Sequence, residues 1–152
     1  MARSSKTFLA QLSEPKPPTS RGRTILRVVL GAFLVFAGVG HLTFGRGEFQ
    51  AQVPDSLPLS ADQVVVASGV VEITLGGALA LLAKRRVPVG WAVALLFIAV
   101  FPGNISQWLN ARDGFGLDTD TKRFVRLFFQ PVLVLAALWS TGAWRDRPRK
   151  KR

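Results

Sequence analysis

The sequence predicts an all-α membrane protein: a four-transmembrane-helix bundle with both termini cytoplasmic. Three observations predict it. Residues 28–44, 63–83, 87–109 and 127–144 contain Glu72 as their only Asp, Glu, Lys or Arg, and each run approaches the roughly 20 apolar residues that cross a hydrocarbon core at about 1.5 Å per residue. A mean hydropathy of +0.28 coexists with a formal net charge of +11, which is consistent only because the charges lie outside those runs. Basic residues also cluster at alternate connections: six up to Arg27, then Lys84, Arg85 and Arg86, then six from Arg145 onward. The remaining five are diluted by Glu48, Asp55, Asp62, Asp113, Asp118 and Asp120. By the positive-inside bias the chain therefore runs in, out, in, out, in. The expected spans are about 25–45, 62–83, 87–109 and 124–144, between a disordered basic, proline-rich tail (1–24) and a short basic tail (145–152).

The N-terminal SEPKPPTSRGR is polar and proline-rich, a composition that does not support a packed core. The apolar run after it is too long for the usual h-region of about 7–15 residues and no small-residue cleavage pattern follows, so it reads as a retained span. Gly31, Gly38 and His41 share one face of this first helix. The following loop carries VPDSLPL, in which Pro54 and Pro58 with flanking apolar residues predict a structured segment on the membrane surface.

In the second span Gly69, Glu72 and Gly76 fall at i, i+3 and i+7, with Ser68 one turn from Glu72. Small residues admit a neighbouring helix, which turns the carboxylate towards the bundle and away from lipid. Ten residues separate Asp62 from Glu72, which puts the latter about 15 Å deep, near the midplane, and His41 about 6 Å below Gly45. Pro102 and Gly103 in the third span predict a kink or broken turn below Asn104, releasing the carbonyl of Ile98; Pro131 releases that of Leu127 in the fourth.

The loop NARDGFGLDTDTKR has a faint likeness to a calcium loop, but it lacks the EF-hand spacing and terminal glutamate and reads as a solvated turn. Asn104-Ile105-Ser106 matches a glycosylation pattern inside a helix, where that use is disfavoured. Trp91 and Trp144 are expected near the cytoplasmic face, Trp108 near the outer face, and Trp139 deeper, as a packing residue. The terminal RDRPRKKR reads as a topology anchor that touches anionic lipid; nucleic acid is the disfavoured partner. With no cysteine and one histidine, the chain has no thiolate chemistry, no disulfide and no bis-histidine haem of its own, and no metal site is expected.

Every span places hydrogen-bonding groups in its outer half: His41, Glu72, Asn104, Gln107, Arg126 and Gln130. One reading is structural, a polar layer fixing the order of four helices. The other is a ligand-binding or proton-sharing layer in a cavity open to the outside, since a charge near the midplane is by default a functional-site hypothesis. Arg126, His41, Asn104 and a bound ligand are the candidates for sharing the proton of Glu72.

The order GHLTFGRGEFQAQVPDSLPL, SGVVEITLGGALALL, KRR and FPGNISQWL resembles the DoxX-like family of small bacterial four-helix membrane proteins, over about residues 31–144. The resemblance implies a bacterial cytoplasmic-membrane protein, with His41, Pro54, Pro58, Gly69, Glu72, Gly76, Pro102 and Asn104 as motif positions and no catalytic assignment to transfer. Some relatives are membrane subunits associated with quinone-linked sulfur oxidation or oxidative-stress enzymes. The leading expectation is an accessory or partner-docking membrane subunit without activity or cofactor of its own. Its partner would be a redox or stress-response protein, or a second copy of the chain. The alternatives are the membrane subunit of a quinone-linked oxidoreductase, in which His41 and Glu72 hydrogen-bond the quinone, and a small proton-coupled carrier using Glu72.

Overall fold

The computed structural model describes residue 10 and residues 14–146. Among them the chain is helical, with no strand: α1 (Arg21–Leu42), a short α2 (Arg46–Gln50), α3 (Ala61–Leu81), a 3-10 turn (Ala83–Arg85), α4 (Arg86–Leu109), α5 (Asp120–Leu127) and α6 (Phe129–Thr141). Four helical stretches are long and apolar enough to span a bilayer, Arg21–Leu42, Ala61–Leu81, Ala83–Leu109 and Asp120–Thr141. Large apolar side chains such as Ile25, Val29, Phe36, Leu95 and Leu135 remain exposed on their outer faces, as lipid-facing surface requires.

α1 and α3 are antiparallel and joined at two glycine pairs. A Cβ on Gly31 would stand 2.7 Å from the carbonyl oxygen of Gly76, and one on Gly38 would stand 2.6 Å from that of Gly69. The reciprocal distances, from Gly76 to Gly31 and from Gly69 to Gly38, are 2.6 and 2.9 Å. In each pair the glycine hydrogen points at a carbonyl, the geometry of interhelical Cα–H···O contacts. α1 also packs on α6, and α6 on α4, whereas α3 and α4 touch only sparsely. The inner half is filled by Leu30, Leu34, Leu79, Val93, Ala94, Phe97 and Ala137.

Two arginines counted as topology charges are in fact built into the inner end. Arg27 is buried and donates to the carbonyls of Leu79 and Ala80, which lack acceptor duty at the end of α3. Arg86, 2% exposed, donates to Thr141 O at 2.6 Å, Pro17 O at 2.8 Å and Asp146 Oδ2 at 2.7 Å. Residues 14–20, expected within a disordered tail, run along the inner loop: Lys16 N–H donates to Lys84 O, and α1 begins at Arg21. Residues 1–9, 11–13 and 147–152, most of both tails, lie outside the described residues.

Other expectations also shift. Trp139 is half exposed, with the Arg23 guanidinium 5.1 Å from its ring centre, so it is a cation–π partner and not a core residue. Trp91 and Trp144 pair at 6.3 Å at the inner end, and Trp108 meets Phe124 at 5.3 Å at the outer end. α4 continues unbroken through Pro102. The fourth span, by contrast, divides into α5 and α6 at Phe128, where Pro131 has removed the donor for Leu127 O.

Candidate functional site

Between the α1–α3 pair and the α4–α6 pair, in the outer half, lies a cavity of about 820 Å³ with predominantly apolar walls. His41, Glu72, Asn104, Arg126 and Gln130 all line it, so five of the six polar-layer candidates converge on one space. Gln107 does not line it, but it accepts a hydrogen bond from Arg126 at 3.5 Å. Gly69 and Gly76 serve the helix contact, Pro54 and Pro102 line the cavity, and Pro58 is exposed outside it.

The Gly38–Gly69 contact brings α1 and α3 close enough for His41 Nδ1 to reach Val65 O at 3.2 Å. A carbonyl only accepts, so Nδ1 carries the proton. Nε2 then faces Glu72 Oε2 at 3.6 Å. Lone pairs on both atoms would repel, whereas one proton on either atom makes the approach attractive. A single proton held between the two would make the pair net neutral. At 3.6 Å the two atoms stand beyond hydrogen-bond range, and Glu72 Oε2 is buried without a hydrogen-bond partner.

On the opposite wall Asn104 Nδ2 donates to Gln130 Oε1 at 3.0 Å, and Gln130 Nε2 to Phe97 O at 2.6 Å. Pro102 frees the carbonyl of Ile98, but the Gln130 amide binds that of its predecessor, Phe97. Gly103 has a separate role. A Cβ there would lie 2.5 Å from Gln52 O, so its missing side chain lets the outer loop settle on α4.

That loop forms the roof. Arg46 grips Asp62 with two 2.6 Å bonds in an exposed, solvent-screened pair, and these bonds raise the pKa of Arg46 above its ordinary value. Arg112 donates to Val53 O at 2.8 Å and pairs with Asp55. Phe49 from α2 lies on the His41 ring at 3.5 Å between centres, and Phe115 lies on Phe49 at 4.5 Å. Phe115 holds φ at 54°, a left-handed conformation unfavourable for an aromatic residue. Its N–H donates to Glu48 Oε2 at 2.6 Å, which offsets the strain. The roof is formed by Phe49, Gln52 and Phe115 together with Val53, Pro54, Leu57 and Leu59 of VPDSLPL. In the second outer loop Asp113 and Asp120 bind Arg123 and Asp118 binds Lys122; no cluster suited to a metal ion occurs among the described residues.

Sequence reasoning missed Phe49, Gln52, Gly103 and Phe115 at this site. An isolated phenylalanine or glutamine in a loop carries no periodic signal. Gly103 was visible, but only as a helix weakener.

Four apolar helices around a polar-lined cavity define a small multi-pass membrane protein. The chain belongs to the family described as Domain of unknown function (DUF8561), whose profile matches residues 30–141, a stretch that includes the cavity residues, three of the four spans and the second half of the first. No curated protein and no solved structure matches the chain significantly.

Proposed function

We propose that this chain is an accessory subunit of the bacterial cytoplasmic membrane that holds a lipophilic molecule in the outer half of its bundle. The observation that carries this reading is the cavity itself: about 820 Å³ of apolar space on which His41, Glu72, Asn104, Arg126 and Gln130 converge. Ligand sites have this character, with many apolar walls and a few polar groups that fix orientation. A purely structural polar layer would close its hydrogen bonds internally; here Glu72 Oε2 and the amide nitrogens of Gln52 and Gln107 are buried without partners. Kinship with the DoxX-like proteins belongs to this proposal, carried by the order of GHLTFGRGEF, SGVVEITLGG and FPGN along the chain. So does an arrangement with both termini inside, supported by the basic residues of the inner connections.

A quinone-linked role is the second reading, favoured by the His41–Glu72 pair facing the cavity. The residues fit a quinone: His41 and Glu72 would hold one carbonyl, with Asn104 and Arg126 available to another. A bound quinone would supply the electron transfer that no residue of the described chain offers. Redox or stress-response partners would then complete the pathway, and the chain would have no activity alone.

Purification in mild detergent, solvent extraction and mass spectrometry test the proposal. A lipophilic compound near one per chain is expected, lost on narrowing the cavity with Ala67→Phe or Ala99→Phe. If no compound co-purifies and no quinone or lipid binds to the wild type, the ligand reading is wrong. Retention of a quinone that is lost in Glu72→Gln selects the second reading.

A further inference from the structure

Arg126 and Glu72 are the two side chains of the cavity wall that bear a full charge in their ordinary forms. Glu72 Oε2 faces His41 Nε2 and makes no ion pair with Arg126, so the guanidinium has no countercharge in contact with it. Among the described residues no carboxylate pairs with Arg126. Its hydrogen bonds go to two neutral amide oxygens, Gln52 Oε1 at 3.1 Å and Gln107 Oε1 at 3.5 Å. In contrast, Arg46, Arg86, Arg112, Arg123 and Arg145 each pair with an aspartate.

The surroundings of Arg126 are also rich in donors and short of acceptors. With their oxygens turned to the guanidinium, Gln52 and Gln107 present Nε2 groups that are buried and have no acceptor. The neighbouring amides offer no relief, because Gln130 Oε1 is engaged by Asn104 and Gln130 Nε2 by Phe97 O. An isolated cation among unpaired donors within a membrane span is costly. An acceptor-rich anion at that point would balance the charge and give the guanidinium the planar, forked partner that it matches best. Beyond it the cavity wall is apolar, with Phe33, Phe36, Val71, Ala99 and Leu133.

We propose that the cavity takes an amphiphile with one anionic head, a carboxylate or phosphate ester, seated on Arg126 and Gln52 with its hydrocarbon chain along the apolar wall. This rests on the ligand-holding reading above and names the chemistry of the ligand. Two sources supply such a molecule: a free fatty acid, or an anionic phospholipid whose head turns in from the outer leaflet.

The test uses the full chain in discs of zwitterionic phosphatidylcholine, with binding of radiolabelled oleate and oleyl alcohol compared at a pH where the acid is ionised. The wild type is expected to bind oleate about tenfold or more tightly than the alcohol, as for a charge-assisted contact. Arg126→Gln removes that preference, and Arg126→Lys keeps part of it. Equal binding of acid and alcohol by the wild type overturns the anionic-head proposal while leaving the cavity a ligand site. Binding of neither overturns both. The wild-type comparison decides the matter even if Arg126→Gln fails to insert. Where oleate binds, competition by phosphatidylglycerol in the discs assigns the lipid head as the source, and its absence assigns the free acid.

Discussion

His41 Nε2 of α1 faces Glu72 Oε2 of α3 at 3.6 Å, yet the two do not hydrogen-bond. If the pair were a structural ion pair, removing one charge would cost about 3–5 kcal/mol, because the partner would be left buried and unbalanced. A pair made neutral by one shared proton and open to a cavity would lose far less. Glu72→Gln, which keeps size and hydrogen-bonding capacity, is therefore expected to shift stability by less than about 1 kcal/mol. Under the quinone reading it is expected at the same time to abolish quinone retention. Thermal unfolding in detergent, read beside ligand content, checks this; a large destabilisation would return the pair to a structural role.

Glycine pairs set the close approach of α1 to α3, and a glycine of α3 outside the contact supplies the control. A methyl at Gly38 would meet the Gly69 carbonyl at 2.6 Å, while one at Gly77 would meet nothing within 4 Å. Gly38→Ala is expected to destabilise by about 1–3 kcal/mol through forced separation of two backbones. Gly77→Ala, in open space, is expected to be neutral or to stabilise by up to about 1 kcal/mol through helix propensity. Equal effects on the unfolding midpoint would show that the α1–α3 register is not as described.

The spans were readable because bilayer crossing constrains composition over some 20 residues at once, and the face shared by Gly69, Glu72 and Gly76 was readable because helical periodicity is local. Those signals also led to Arg126, Asn104 and Gln130. What they did not contain is contact between segments remote in sequence. Phe115 and Glu48 are 67 residues apart, and no pattern in either loop announces that they meet. Arg27 and Arg86 were misread for a related reason: a basic residue near a span end counts the same towards topology whether it faces lipid heads or caps a neighbouring helix. Pro102, expected to bring a kink or a broken turn, did not interrupt α4. Pro131, a few residues after the helix restarts at Phe129, does coincide with a break.

Asp146 links the inner end to acid pH. Its carboxylate accepts from Arg145 at 2.7 and 3.0 Å and from Arg86 at 2.7 Å, and the Arg145 bonds, followed by those of Arg86, lower its pKa to about 2 from 3.8. A depressed carboxylate contributes stability that is fully present above its unfolded pKa and is lost as pH falls through the folded value. The inner clasp should therefore hold at neutral pH and weaken between about pH 4 and 2. Asp146→Asn is expected to lower the unfolding midpoint at neutral pH and to flatten its dependence across that acid window. An unchanged acid profile would mean that Arg86 is held by Thr141 O and Pro17 O alone.

The proposed direction of insertion rests on a physical asymmetry between the two ends. The outer connections are compact and charge-compensated, Arg46 with Asp62, Arg112 with Asp55, Lys122 with Asp118, so they carry little net charge across a membrane. The inner end keeps Lys84 and Arg85 exposed beside the basic tails, which resist translocation. Asp55 and Asp118 have side chains 82% and 61% exposed, so cysteines there should be reachable. In intact cells, Asp55→Cys and Asp118→Cys are expected to react with a membrane-impermeant maleimide, and Arg85→Cys only after permeabilisation. The natural chain has no cysteine, which leaves no background. The reverse labelling pattern would invert the bundle and turn the cavity towards the cytoplasm; an anionic amphiphile would then have to be drawn from the inner leaflet.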